Sequence, residues 1–315
     1  MASFNVSESI EISAPRSKIH HILSDYQQWP VWSPWLCAEP DCPLSFQGQA
    51  GVVGHGYDWE GKVVGSGQMR LRSISDQTLS MDLFFLTPWK SEAEVEFTLE
   101  DLGNNKTRVS WLMTSKLPFF MFFMKSMFAS MISMDYRRGL AMLKEYAETG
   151  KVASRAQAEG IVDIQPTTYV GLTGTAPLAD MGSVMGEAFQ RLETIAANNG
   201  LSKETSAMAL YTKMNVKAAE SNYIAALNTD GTVIDPALLS KEQLTSGSIE
   251  AGRALKVTHT GSYNHLGNAW STGMMNMRSQ KLKKSKTQPP FELYINDPKN
   301  TPDDQLVTEI YFPLR

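Results

Sequence analysis

Apolar side chains at Phe4, Val6, Ile10 and Ile12 alternate with polar ones over residues 4–13, the period of a strand with one buried face. Ala14-Pro15 then opens a short helix carrying Ile19, Ile22 and Leu23 on one side. Between residues 49 and 114 the text is strand-like in six places: Val52-Val53, 57–64, 68–73, 78–86, 92–99 and 107–113. Turns are expected at Gly54-His55-Gly56, Ser75-Asp76 and Gly103-Asn104-Asn105. This predicts an antiparallel meander. Pro118 stands where a first-turn proline belongs, and Phe120, Met124, Met127, Met131, Met134, Leu140, Leu143 and Tyr146 follow at helical spacing up to Gly150. One long amphipathic helix is expected to close the first domain, residues 1–150.

Residues 151–160 are small and polar with no apolar face, which reads as a linker or a frayed helix end. Beyond them, over 161–315, one order of elements occurs twice. The first copy predicts a strand at 161–175, a helix at 181–198 and strands near 207–214 and 222–227. The second predicts a strand at 253–260, a helix after Gly261-Ser262-Tyr263 to about Leu282, and strands at 291–296 and 306–313. Two βαββ units of this kind pair into one antiparallel sheet with both helices on one face, so the fold class is α+β.

Composition narrows the function. At 315 residues the chain has room for two domains that each bury a core. A net charge of −4 offers no basic surface for phosphates, so no nucleic-acid partner is expected. Cys37 and Cys42 are too few for a disulfide framework, and the N-terminus lacks a secretory pattern, which predicts a cytoplasmic protein. The Phe- and Met-rich stretch 117–134 is interrupted by Lys125 and several serines. It falls short of the roughly 20 apolar residues of a span, so no stable membrane insertion is expected.

The order strand, short helices, meander, long helix, with Ile10-Glu11-Ile12-Ser13-Ala14-Pro15, Tyr26-Gln27-Gln28-Trp29 and Trp32-Ser33-Pro34-Trp35, resembles the START-related SRPBCC superfamily over about residues 1–148. That resemblance implies a helix-grip fold, a curved sheet around the long helix with a hydrophobic cavity between them. Trp59, Trp89, Trp111 and the helix methionines would line that cavity. From about residue 158 onward the chain is similar to the GyrI-like (gyrase-inhibitor-like) effector-binding domain, on His259-Thr260-Gly261-Ser262-Tyr263, Gly267-Asn268-Ala269-Trp270, Pro290-Phe291-Glu292-Leu293-Tyr294 and Thr308-Glu309-Ile310-Tyr311-Phe312. In transcription regulators this domain follows a DNA-binding region, whose place is taken here by the START-like domain.

Candidate chemistry concentrates near the C-terminus. Alternation puts Glu292 and Tyr294 on one face of their strand and Glu309 and Tyr311 on one face of theirs, both away from the apolar positions. If the helices cover the apolar face, both acid–tyrosine pairs line the opposite side as a ligand groove. Tyr263, Trp270 and Tyr211 would add ring faces for flat or cationic molecules, core packing being the plain alternative for Trp270. Ala209-Leu210-Tyr211 is the first-copy counterpart of Glu292-Leu293-Tyr294, a methyl where the second copy has a carboxylate, and this singles out Glu292. A carboxylate among rings protonates, as a general acid does, or awaits a cationic or polar ligand; an exposed strand residue or a structural hydrogen-bond acceptor is the plain alternative for Glu292 and Glu309.

Cys37, Cys42 and His55 match no zinc spacing, His20 and His21 point apart on their helix, and the lysines at 281, 283, 284 and 286 suit a solvated helix end. No phosphate loop or Ser-His-Asp signature occurs, so neither a cofactor nor a metal is expected. The leading expectation is a protein that binds or senses a small apolar or cationic organic ligand, with a pocket in each domain. The GyrI-like resemblance implies as the second a hydrolase of electrophilic natural products using Glu292 and Tyr294, and as the third a protein-interaction role such as gyrase inhibition, beside which stands a membrane contact through residues 119–128. The chain does not specify an oligomeric state.

Overall fold

The computed structural model describes residues 2–117, 123–200, 206–216 and 218–315. It divides into two compact units at Val152/Ala153. The first runs β1 (Ala2–Ile12), α1 (Arg16–Ser24), α2 (Trp29–Trp32), β2 (Leu44–Gln47), β3 (Gly56–Glu60), β4 (Ser66–Ile74), β5 (Thr78–Thr87), β6 (Ser91–Gly103), β7 (Lys106–Leu117) and α3 (Lys125–Thr149). Its seven strands are ordered β1-β7-β6-β5-β4-β3-β2, and every neighbouring pair is antiparallel.

The meander and the long helix are therefore as expected, with two differences. Val52 and Val53 lie in a turn and are about half exposed, and the strand preceding it is β2. Pro118 and Phe120 lie outside the described residues, as do positions 119–122 of the 119–128 segment considered for membrane contact. No helix among the described residues is long and apolar enough to cross a membrane.

Helix α3 lies on an aromatic core. The Tyr136 ring stacks on Trp111 at 3.9 Å, and Trp111 stacks on Phe97 at 4.8 Å. Gly139 makes that approach possible, because a Cβ there would come within 2.8 Å of the Trp111 ring.

The second unit runs β8 (Ser154–Ile164), β9 (Thr167–Pro177), α4 (Met181–Asn198), β10 (Ala207–Asn215), β11 (Glu220–Asn228), α5 (Pro236–Glu242), β12 (Thr245–Ile249), β13 (Gly252–Gly261), α6 (Leu266–Ser279), β14 (Phe291–Tyr294) and β15 (Val307–Pro313). Its eight strands are ordered β12-β9-β11-β10-β14-β15-β13-β8. The two βαββ copies meet at β10 and β14, which pair antiparallel with Ala209 opposite Glu292.

Residues 151–160, expected to be a linker, are instead mostly strand β8, which pairs with β13 along its length. Alternation is present, but its inward residues are Ala156 and Ala158, so the mean hydropathy stays low. These small side chains face the core cluster to which α6 contributes Ala269 and Met277. The strand expected at 161–175 is broken at Gln165-Pro166, where proline has no N–H for the ladder. Helix α5 and strand β12 had no expectation. Gln165-Pro166 and Glu250-Ala251 each join the two ends of the strand order, so the sheet curls until Ile164 and Ile249 share a cluster with Phe291.

Helix α6 seats on the sheet through Gly273, where a Cβ would fall 2.1 Å from the buried Phe312 ring. Gly273→Ala is expected to cost about 1–3 kcal/mol by overpacking. Urea melts of the second unit's transition would detect it, and an unchanged midpoint would contradict the close seating.

Candidate functional site

Strand register settles which candidates share a face. Across β14 and β15, Glu292 lies opposite Ile310 and Tyr294 opposite Thr308, while Phe291 lies opposite Tyr311 and Leu293 opposite Glu309. Directly opposed residues point to the same side of a sheet. Glu292 and Tyr294 therefore share their face with Ile310 and Phe312, under the helices, and Glu309 and Tyr311 are on the other face. The expected groove lined by both acid–tyrosine pairs is thus corrected: there are two separate clusters.

Glu292 is 1% exposed, at the centre of the sheet between the part covered by α4 and the part covered by α6. One carboxylate oxygen, Oε1, accepts from Trp270 Nε1 on α6. The other, Oε2, accepts from Tyr211 Oη at 3.0 Å and from Tyr294 Oη at 2.6 Å. The two tyrosines are the repeat-related pair identified in the sequence, on β10 and β14. The repeat thus supplies two hydroxyls to one acid, and Ala209, fully buried beside it, has no functional group.

Rings enclose this centre crosswise. Phe189, from the first copy's helix, meets Tyr294 edge-on at 5.4 Å, and Trp270, from the second copy's helix, meets Tyr211 edge-on at 4.8 Å. Tyr263 closes a third side, edge-on to Tyr294 at 5.6 Å. Phe189 was not anticipated. Its position on an amphipathic helix looks like ordinary core, and only the register of the two copies brings it over Tyr294.

All three donors to Glu292 are neutral. Burial raises its pKa, and the bonds from Tyr294, Trp270 and Tyr211 oppose that rise without cancelling it. The same burial, with the carboxylate adjacent, lifts the Tyr211 and Tyr294 hydroxyls well above their ordinary value, and Tyr263 to about 12. The site is acidic, buried and aromatic.

Glu309 is in a different situation. Lys256 forms an ion pair with its Oε1, Tyr311 Oη donates to Oε2 at 2.6 Å, and Tyr311 stacks on Phe291 at 4.8 Å. Its charge is balanced locally. In the first unit Trp111 is buried and Trp59 nearly so, whereas Trp89 is 51% exposed just beyond the end of β5, away from the core it was expected to line. His55 accepts from the Tyr26 N–H through Nε2 and bonds the Gln47 carbonyl through Nδ1, so both ring nitrogens are used. Among the described residues no group of three or more metal-ligating side chains gathers.

A second buried titratable group, His259, lies on β13. His259 is brought down to about 4, first by burial and second by neighbouring His265. A histidine kept neutral by the fold favours folding above its unfolded pKa of about 6.5 and loses that contribution as pH falls toward 4. His259→Gln is expected to flatten the acid limb of the second unit's stability between about pH 6.5 and 4, by up to about 3 kcal/mol. Thermal melts over that range would show it, and an unchanged limb would contradict it.

Residues 160–315 match the GyrI-like small molecule binding domain, and residues 3–148 match the polyketide cyclase / dehydrase and lipid transport family. The two matches divide the chain between them, a polyketide cyclase-type region followed by a region matching the GyrI-like small molecule binding domain.

Among solved structures, the Aha1 dimer from Colwellia psychrerythraea is 22% identical over 47% of this chain and 98% of that one, with a TM-score of 0.36. The EcmrR C-terminal domain is 19% identical over 51% of this chain and 98% of that one, with a TM-score of 0.40. An integron cassette protein from the mobile metagenome of Vibrio cholerae is 19% identical over 51% and 99%, with a TM-score of 0.37. No curated protein gives a match.

Proposed function

We propose that the second unit binds a lipophilic organic cation, with Glu292 as its counter-charge and Tyr211, Tyr263, Trp270, Tyr294 and Phe189 as its walls. One observation carries this reading: Glu292 is fully buried and takes only neutral donors. A buried carboxylate without a cation is costly, and a ligand that brings the charge relieves the cost while burying its own apolar surface. The rings add cation–π attraction, which strengthens when water is excluded. Glu309, already paired with Lys256, serves the sheet's other face as structural support.

The raised Glu292 pKa also favours a second reading, in which the protonated carboxyl acts as a general acid on an electrophilic substrate positioned by Tyr294. One experiment separates the two. The protein is melted with tetraphenylphosphonium, with neutral triphenylphosphine oxide and with a reactive epoxide, while product is followed by mass spectrometry in the same samples. Stabilisation by the phosphonium without turnover of the epoxide supports binding. Turnover that is lost in Glu292→Gln supports the acid, and no response to any of the three rejects both.

The first unit is proposed to hold a ligand bearing hydrogen-bond acceptors. Among the described residues, Tyr26 Oη and Trp32 Nε1 are buried donors with no hydrogen-bond partner, and both belong to one aromatic cluster. Such groups are seldom left orphaned in a folded protein.

A further inference from the structure

The helix-bearing face of the second sheet continues past Tyr294 in a straight row. Tyr294 on β14 lies opposite Thr308 on β15, and Thr308 lies opposite His259 on β13. Strands are spaced about 4.8 Å apart, so His259 is roughly 10 Å from Tyr294 along the floor that begins at Glu292.

Both far members of the row are fully buried. Among the described residues, neither Thr308 Oγ1 nor His259 Nδ1 has a hydrogen-bond partner. The other ring nitrogen of His259, Nε2, is held 3.1 Å from Ser154 Oγ on β8, which fixes the ring in the row. A buried polar atom left unpaired is destabilising, and two adjacent ones in a native fold call for a common cause. Directly opposed side chains have Cβ atoms about 5 Å apart, close enough for a hydroxyl and a ring nitrogen to address one atom between them. In the tautomer where the Ser154 hydroxyl donates to Nε2, the ring proton is on Nδ1. The row then presents two neutral donors, Thr308 Oγ–H and His259 Nδ1–H, and no charge. Two such donors suit a neutral acceptor oxygen better than a carboxylate, which would enter the site without a counter-ion.

Resting on the reading of Glu292 as the cation's partner, we infer that Thr308 and His259 form a second polar subsite. It accepts a carbonyl oxygen of the same ligand, roughly 10 Å from its cationic centre. The ligand class is thereby narrowed from lipophilic cations in general to elongated ones carrying a ketone, ester or amide at the far end. Selectivity for that oxygen comes from the unpaired donors, because a ligand lacking it leaves them orphaned.

The test uses two probes that differ by one oxygen, (7-benzoylheptyl)trimethylammonium and (8-phenyloctyl)trimethylammonium, titrated calorimetrically into the full chain and into Thr308→Val and Glu292→Gln. The expected result is at least about tenfold tighter binding of the ketone by the native protein, from one hydrogen-bonded acceptor. Thr308→Val should reduce that preference to about twofold or less, and Glu292→Gln should weaken both probes while leaving their ratio unchanged. Equal native affinities, with both probes weakened by Glu292→Gln, overturn the subsite and leave the Glu292 reading standing. If neither probe binds, the reading and the subsite fall together.

A second measurement needs no ligand. Valine removes an unpaired hydroxyl at constant shape, so Thr308→Val should raise the second unit's melting temperature, by about 2–4 °C. A lower melting temperature would show that the hydroxyl is bonded within the free protein, and would overturn the subsite.

Discussion

Glu292→Gln is expected to weaken binding of tetraphenylphosphonium by about 30-fold or more, the effect of removing one charge from a desolvated pair. Binding of neutral triphenylphosphine oxide should stay within a few-fold of native. The amide keeps the shape of the carboxyl group, and the tyrosine hydroxyls can rotate to accept from its NH2, so the aromatic walls remain in place. The same substitution should stabilise the unliganded protein at neutral pH.

The sign of that stability change follows from the direction of the shift. An acid whose pKa is higher in the folded chain than in the unfolded one holds its proton more tightly when folded. Native Glu292 therefore favours folding below the ordinary carboxyl range and loses that contribution as pH rises through its folded value. The difference between variant and native should be small near pH 4 and should favour the variant above neutrality. Equal melting temperatures at all pH values would contradict the burial of an uncompensated acid. A site that loses stability in order to bind is a common cost of function.

Trp111→Ala is expected to cost about 3–5 kcal/mol in the first unit's unfolding transition, the range for removing a large ring from a packed interior. Trp111 stacks on both Phe97 and Tyr136 and meets Trp29, Trp32 and Trp35 edge-on, so its removal opens a cavity that five other rings line. Helix α3 rests on that ring through Gly139 and cannot collapse into the gap without leaving its contacts on the sheet. Denaturant unfolding followed by tryptophan fluorescence would show the loss. A change below about 1 kcal/mol would mean that the ring is not part of the load on α3.

Much of this fold was legible in the chain because each element signals itself locally. The alternation of the meander, the helical spacing up to Gly150 and the doubled βαββ order all appear in the structure. Comparison of the two copies also pointed to Glu292, since a carboxylate opposite a repeat-related alanine breaks an otherwise shared pattern. What alternation cannot convey is the register between strands. It places Glu292 with Tyr294, and Glu309 with Tyr311, but a one-residue shift decides whether the two pairs share a face, and the observed register separates them. Strand β8 was missed for a related reason: its inward positions are alanines, chosen for close packing and not for hydropathy. Phe189 was missed because a ring on an amphipathic helix carries no mark of what it will cover.

The central claim is that a cationic ligand and a buried, protonatable Glu292 are coupled. Its most direct test is the affinity for tetraphenylphosphonium as a function of pH, measured beside that for triphenylphosphine oxide. The cation needs the carboxylate, so its affinity should rise with pH through the elevated Glu292 pKa and level off above it, with up to one proton released per ligand bound. The neutral oxide should show no such rise, and neither should Glu292→Gln with either ligand. If the cation binds with equal affinity across that range, in native protein and variant alike, Glu292 is not its counter-charge.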